Sequence, residues 1–141
     1  MDTYKVDFQG YWRDINKKGI PNYSGIYIVY RSIYKEDKKV VGLKEIIYIG
    51  QAKDVCVRIA THDKQEEFKK YISDHEELCY ACAEVSESDL DIVEKALIFM
   101  QQPKLNQDYK DKYYGESAIF HINGFCELLE YTNFSLKKQD D

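Results

Sequence analysis

The sequence predicts an α+β domain in which a β-hairpin, a helix, a third strand and a second helix follow one another. Residues 25–31 (GIYIVYR) and 46–49 (IIYI) are short runs of β-branched and aromatic side chains, as is typical of strands. Residues 54–72 and 88–102 carry apolar side chains at helical spacing. The chain has 141 residues, 44% of them hydrophobic, which suits one domain with its own core.

The predicted hairpin begins at Gly25 and its second strand ends at Gly50. Residues 1–22 precede it and are expected to dock on the body of the domain through aromatic side chains. A charged loop or hairpin tip is expected at residues 35–39, and a bulge or kink at Gly42. Because no helix-length segment connects the two strands, their pairing is predicted to be antiparallel.

The first helix is predicted over residues 54–72, with Asp54 as its N-cap. In a continuous helix Arg58 and His62 are four residues apart and share one face. The third strand is predicted over residues 78–85.

The second helix is expected to end at about Gln102, because Pro103 cannot continue it. The rest of the chain, residues 109–141, is expected to form a C-terminal extension that packs on the core. One short helix is predicted in this extension near residues 124–131.

Composition excludes some classes of protein. No apolar run is long enough for a membrane span and the N-terminus lacks an apolar signal region, so a cytoplasmic protein is expected. Cys79 and Cys82 have the spacing of a zinc or redox motif, but residues three apart in a strand point to opposite faces. No second pair completes four ligands, so buried free thiols are favoured.

The net charge of −5 argues against a protein that binds nucleic acid by bulk charge alone. Residues 1–70 carry 14 Lys and Arg against 10 Asp and Glu, whereas residues 71–141 carry 6 against 15. The cationic half could face phosphate, with the acidic half turned away. The alternative is a solvated surface with uneven charge, which charge alone favours.

Glu94 is the most informative single carboxylate, because it lies in the most apolar predicted helix. Leu90, Leu97 and Ile98 share its face at helical spacing. A carboxylate there costs free energy unless it meets a cation or hydrogen-bond donors. Mg²⁺ or Mn²⁺ is one candidate partner, since such ions bind through few carboxylates and keep their waters. The alternative is a glutamate at the rim of the core paired with a lysine.

Four other side chains have chemistry that suits a phosphodiester. Arg58 and His62 could hold a phosphate and handle a proton. Tyr27 and Tyr48 lie on the two strands of the predicted hairpin. Taken alone, the first pair is more typical of a protein surface, and the two tyrosines are more typical of sheet packing.

Taken together and in this order, these residues resemble the GIY-YIG nuclease superfamily. Residues 25–27 (GIY) and 48–50 (YIG) match its two naming motifs, and Arg58 falls where the family places an arginine on the following helix. Glu94 resembles the metal-binding glutamate of the family. The later Pro-x-x-Asn that ends at Asn106 resembles the end of the family's motif series.

The resemblance implies a small three-stranded antiparallel sheet flanked by helices, with residues 22–108 as the catalytic core. It also implies a metal-dependent endonuclease that hydrolyses DNA phosphodiester bonds. By analogy, Tyr27 accepts a proton from the attacking water, Tyr48 positions water or phosphate, and Arg58 stabilises charge on the phosphate. Glu94 holds Mg²⁺ or Mn²⁺.

The resemblance assigns supporting roles to further residues. His62, at a position used by some restriction enzymes of the family, assists the catalytic tyrosine. Gly25 and Gly50 belong to the naming motifs and Asn106 supports the site. A tyrosine with an ordinary pKa near 10 is a poor base at neutral pH, and Lys53 is a nearby cation that would favour its anion.

Twenty residues separate Tyr27 from Tyr48, more than is usual between these motifs, so the hairpin must carry an extension. Its lysines, Lys35, Lys38 and Lys39, are candidate phosphate contacts.

Two other classes of function stay open. One is a catalytically silent domain of the same fold that binds nucleic acid or a protein partner. The other is a structural domain, in which the tyrosines and the glutamate only pack and pair.

Overall fold

The short β-branched and aromatic runs form the centre of a larger sheet in the computed structural model, which describes residues 1–139. Its strands are β1 (Asp2–Arg13), β2 (Gly25–Lys35), β3 (Val40–Ala52), β4 (Glu77–Glu84), β5 (Ala118–Gly124) and β6 (Asn133–Leu136). Their order across the sheet is β3-β2-β4-β1-β5-β6. All neighbouring strands are antiparallel except β1 and β5, which are parallel.

Helices pack on both faces of this sheet. They are α1 (Val55–Ala60), α2 (Gln65–Tyr71) and α3 (Leu90–Gln101), with short 3₁₀ helices at Asp14–Gly19 and Glu87–Asp89. The apolar face of α3 packs against one face of the sheet, and α1 and α2 cover the other. The Asp54 side chain accepts a hydrogen bond from the Val57 N–H and caps α1, as the sequence predicts.

The α+β class is as predicted, but the expected three-stranded sheet is wrong in its strand number. Strands β2, β3 and β4 form the antiparallel group that the resemblance implies. Strand β1 comes from the segment expected only to dock, and it lies between β4 and β5. The described part of the C-terminal extension supplies β5 and β6. The helix predicted near residues 124–131 is wrong, because Gly124 ends β5 and residues 125–131 form a turn. Residues 140–141 of the extension lie outside the described residues.

The predicted helix over residues 54–72 is also wrong, because it is two helices. Residues 61–64 form a turn between α1 and α2, and His62 lies in this turn. His62 therefore does not share a continuous helical face with Arg58. The turn carries the imidazole inward instead, where its side chain is 3% exposed.

Strand β3 contains two bulges, at Lys44 and Ile47, where the register with β2 slips by one residue. The predicted bulge at Gly42 is wrong, since Gly42 pairs in register with Ile33. The extra residue at position 47 leaves Ile47 and Tyr48 on the same face of the sheet, where both pack against α1 and α2. This bulge decides which face Tyr48 occupies.

The sheet separates two hydrophobic cores. Cys79 lies in the core under α3 and Cys82 in the core under α1 and α2, and both thiols are free and buried. The predicted opposite orientation of these two cysteines is therefore confirmed. None of the helices within residues 1–139 combines the length and apolar character needed to cross a bilayer.

Candidate active site

The register of β2 and β3 brings the two tyrosine-containing motifs together. Tyr27 lies directly opposite Gly50, on the face that α1 and α2 cover. A Cβ atom on residue 50 would collide with the ring and hydroxyl of Tyr27, so glycine here leaves room for that ring. A Cβ atom on Gly25 would collide with the Ala83 carbonyl of β4. Gly50 therefore permits close approach of the Tyr27 ring, and Gly25 permits close approach of β4.

Tyr27 is the centre of the site and is 1% exposed. Its hydroxyl lies 2.6 Å from Nε2 of His62, and its ring stacks on Tyr48 with 6.2 Å between centroids. Burial raises the pKa of Tyr27 well above its ordinary value, and the neighbouring Tyr48 raises it further. The guanidinium of Arg58 acts in the opposite direction and lowers this pKa. The phenol is therefore protonated at neutral pH, with one cation positioned to favour its ionisation.

The hydrogen bonds of His62 define which of its ring nitrogens carries the proton. Nδ1 lies 3.1 Å from the backbone nitrogen of Lys64 and accepts its hydrogen bond, so the proton of the neutral ring is on Nε2. Nε2 then donates to the Tyr27 hydroxyl oxygen. Burial, followed by the charge of Arg58, lowers the pKa of His62 to about 4, which keeps the ring neutral at pH 7.

Arg58 connects this buried group to solvent. Its side chain is 36% exposed and forms a 3.1 Å ion pair with Asp63, whose side chain is 72% exposed. Exposed ion pairs of this kind contribute about 0–1 kcal/mol, so an incoming phosphate can displace Asp63 at little cost. The guanidinium is thus available to a substrate while it remains beside Tyr27.

Tyr48 and Glu94 line a cleft of about 250 Å³ at the β3 edge of the sheet. The other residues that line it are Lys64, Ile98, Asn106, Gln107, Asp108 and Tyr109. Burial raises the pKa of the Tyr48 phenol, and the charge of Glu94 raises it further. The carboxylate and this tyrosine therefore interact across one concave surface.

The Glu94 carboxylate has one amide partner from β3. Nε2 of Gln51 donates to Glu94 at 3.0 Å and to Asp91, one turn earlier on α3, at 2.6 Å. Burial raises the pKa of Glu94, and the hydrogen bond from Gln51 lowers it. The carboxylate is thus partly desolvated, receives hydrogen bonds from Gln51 and lines the cleft.

The donor set fits a hard divalent cation bound through one carboxylate. Residues 1–139 contain no group of three or more His, Cys, Asp or Glu side chains arranged to hold a metal ion. Mg²⁺ does not need such a group, because it retains waters and binds through one or two carboxylates together with substrate phosphates. Glu94 is the residue that would hold Mg²⁺ or Mn²⁺ here, with the remaining ligands from water and substrate.

The side chain of Asn106 forms hydrogen bonds to the backbone at the outer edge of β3. Its Oδ1 accepts a hydrogen bond from the Ile49 N–H at 2.9 Å, and its Nδ2 donates to the Ile49 carbonyl at 2.9 Å. Since β3 is an edge strand, this side chain takes the place that a neighbouring strand would occupy. Asn106 thereby holds the backbone of Ile49, which lies between Tyr48 and Gly50.

The hairpin lysines lie apart from this site. Lys35, Lys38 and Lys39 are exposed at the tip of the β2–β3 hairpin. Lys35 is eight residues along β2 from Tyr27, or about 26 Å at about 3.3 Å per residue. Lys53 is exposed in the turn between β3 and α1.

Sequence reasoning did not identify several residues of the site, among them Gln51, Lys64 and Asp108. Gln51 follows the second motif directly, and strand alternation places it on the opposite face from Gly50, towards α3. That signal was available in the sequence. Lys64 and Asp108 line the cleft from a turn and a loop, and no periodic pattern marks either of them.

Comparison with known families identifies the domain to which most of this chain corresponds. A model of the GIY-YIG catalytic domain matches residues 23–110, which include β2, β3, β4, α1, α2 and α3. The matched span also contains all the residues that line the cleft. Comparisons with curated proteins and with solved structures give no match.

Proposed function

The chain belongs to the GIY-YIG family of catalytic domains, and from this premise we propose that it is a metal-dependent endonuclease that hydrolyses DNA phosphodiester bonds. One observation carries the proposal. The Tyr27 hydroxyl contacts a neutral His62 and interacts with Arg58, and its ring stacks on Tyr48, which lines a cleft together with Glu94. A purely structural role for these side chains would not require them to converge.

In the proposed mechanism Tyr27 first loses its phenol proton to solvent water, and its ionised oxygen then accepts a proton from the attacking water. Its high pKa makes the phenol a poor base unless its anion is stabilised. Nε2–H of His62 donates to this oxygen at 2.6 Å, and Arg58 supplies positive charge next to it. These two residues offset part of the cost of ionising a buried phenol.

The other residues act on the phosphate and on its surroundings. Arg58 leaves the exposed Asp63 and stabilises negative charge on the phosphate oxygens. Tyr48, on the cleft wall, positions the water or the phosphate by its hydroxyl. Asn106 holds β3 and thereby keeps Tyr48 in register with the buried site.

Glu94 would hold the metal ion at the cleft. When bound, Mg²⁺ or Mn²⁺ supplies positive charge that neutralises charge developing on the phosphate. Gln51 orients the carboxylate by donating hydrogen bonds to it from its side chain and its backbone. The raised pKa of Glu94 reflects a desolvated carboxylate that gains from a cation beside it.

The first prediction tests the carboxylate. Glu94→Gln keeps the shape and removes the charge, so it should abolish nicking and cutting of DNA in Mg²⁺ or Mn²⁺ while leaving the fold intact. The measurement is cleavage of supercoiled DNA with each metal and with a chelator, alongside circular dichroism. Glu127→Gln, in the exposed turn after β5, is the matched control and should cut like the wild type.

Two outcomes would change the assignment. Full cleavage by Glu94→Gln would remove this residue from the metal site. DNA binding without cleavage by the wild type in either metal would instead support the catalytically silent domain.

A further inference from the structure

A second groove continues from the catalytic cleft along the chain that follows Asn106. Its lining consists of Gln107, Asp108, Tyr109, Asp111 and Tyr114, and we call it the tyrosine groove. The first three of these residues also line the cleft that contains Tyr48 and Glu94, so the two concavities form one continuous surface. A strand held in the cleft can therefore extend into the groove.

Two aromatic rings form the wall of the tyrosine groove. The ring centroids of Tyr109 and Tyr114 are 5.8 Å apart, with 66° between the ring planes. Tyr114 is 46% exposed, and its hydroxyl donates to Asp111 at 2.8 Å, which fixes the position of the ring. The ammonium of Lys95 lies 5.6 Å from the Tyr109 ring, and that of Lys112 lies 5.1 Å from the Tyr114 ring.

The charges in the groove favour bases over phosphates as its occupants. The carboxylate of Asp111, which lines the groove and not the cleft, is exposed and would repel a phosphate placed there. Aromatic rings bind bases by stacking, which tolerates any base because every base has a π-face. The bases of an intact duplex are already stacked on one another, so only unpaired bases present free faces to these tyrosines.

On the basis of the proposed function, we propose that the tyrosine groove binds unpaired bases of a DNA strand next to the scissile phosphate. The substrate class is then duplex DNA with a single-stranded tail or flap, rather than fully paired duplex. The negative net charge of the chain agrees with this assignment, since affinity for plain duplex depends mainly on neutralising phosphates.

The test compares binding of two DNAs that share one duplex, of which one carries a single-stranded tail, with both tail polarities examined. Dissociation constants are measured by fluorescence anisotropy in chelator, where cutting is prevented. The wild type should bind tailed DNA more tightly. Tyr114→Ala should weaken binding of tailed DNA about tenfold, which corresponds to about 1.4 kcal/mol, and weaken binding of paired DNA less than about twofold.

Two matched variants separate stacking from other effects. Tyr114→Phe keeps the ring and loses only the hydroxyl, so it should retain the preference for tailed DNA. Tyr131→Ala removes another exposed tyrosine, one outside the groove, and should bind both DNAs like the wild type. Thermal unfolding of each variant shows whether the fold is retained.

Three outcomes would overturn the inference: equal weakening of both DNAs by Tyr114→Ala, no weakening of either, or no binding of tailed DNA by the wild type. Cleavage of both DNAs in Mg²⁺ is measured separately. If the wild type binds tailed DNA through Tyr114 but never cuts it, the proposed endonuclease activity is wrong. The proposed binding of unpaired bases by the tyrosine groove is then still supported.

Discussion

His62 and Tyr27 illustrate how one backbone contact determines the chemistry of a buried pair. The Lys64 N–H occupies Nδ1 of the imidazole, and this leaves Nε2–H as the donor to the phenol oxygen. His62 therefore does not take the phenol proton, and in the proposed mechanism solvent water accepts it. A histidine of opposite tautomer would instead accept that proton and hold the phenol neutral. In the proposed mechanism, the turn between α1 and α2 thus favours the ionised form of Tyr27.

The neutral state of His62 gives a prediction for stability against pH. Its pKa of about 4 in the fold lies below the value of about 6.5 expected in the unfolded chain, so the unfolded state binds the proton first. The contribution to stability is complete above pH 6.5 and is lost as pH falls towards 4. Between pH 7 and pH 5 the wild type should lose about 2 kcal/mol more than His62→Gln.

Urea unfolding at the two pH values measures this difference. Both proteins share the same carboxylates and the other two histidines, so their remaining pH dependence should cancel in the comparison. Identical losses for the wild type and His62→Gln would show that the imidazole is not held neutral by its burial.

At the scale of single elements, the residue pattern within a segment predicted the strands and the helix start that depend on that segment alone. The β-branched runs gave β2 and the centre of β3, and Asp54 marked the start of α1. The break between α1 and α2 had no signal, since residues 60–65 (ATHDKQ) contain neither glycine nor proline. The break is set by tertiary contacts, above all by the 2.6 Å hydrogen bond of His62 to Tyr27 on β2. The bulges in β3 likewise depend on its partner strand.

The long β2–β3 hairpin gives a prediction about DNA length. Its lysine tip lies about 26 Å from Tyr27 along β2, which corresponds to about eight base pairs of duplex at about 3.4 Å each. If the duplex part of a substrate follows the hairpin, Lys35, Lys38 and Lys39 neutralise phosphates beyond that distance. Changing all three to Ala should lower the slope of log affinity against log salt by up to about 3 units for long duplexes.

The triple substitution should leave the salt slope unchanged for duplexes that are too short to reach the hairpin tip. Single-turnover cleavage at saturating DNA should stay close to the wild-type rate, because none of these lysines lies at the cleft. An unchanged salt slope on long DNA would show that the hairpin makes no phosphate contact. Glu36 and Asp37 at the same tip act against such contacts.

At the scale of the whole molecule, the missed feature is the joining of distant segments into one sheet. Strand β1 pairs with β4 from Phe8 with Ala83 to Arg13 with Cys79, across some seventy residues of sequence. It pairs with β5 in parallel at a still greater separation. Periodicity within a segment reports which face is buried and carries no information on which strand lies beside it. The candidate site was predictable because its motifs lie on consecutive elements.

This sheet predicts that the family-matched span alone does not fold stably. A chain of residues 22–110 keeps the cleft but loses β1, β5 and β6, and β4 becomes an edge strand with a fully buried, apolar Leu78–Ala83 run. The core under α3 loses seven buried side chains, and the four large aliphatic or phenyl ones that β1 and β5 contribute are Val6, Phe8, Phe120 and Ile122. At about 1.5–3 kcal/mol each, their burial contributes about 6–12 kcal/mol, comparable with the whole stability of a typical domain.

The truncated chain should therefore show no cooperative thermal transition and should elute as aggregate in size-exclusion chromatography, whereas the full chain unfolds cooperatively as a defined species. Its DNA cleavage should be lost together with the fold, although Tyr27, Arg58 and Glu94 are all retained. A monodisperse fragment with a cooperative transition and full cleavage would show that β1 and the C-terminal strands only cover a core that is stable by itself. The cleft would then depend on β2, β3 and β4 alone, as the smaller three-stranded sheet expected from the sequence implies.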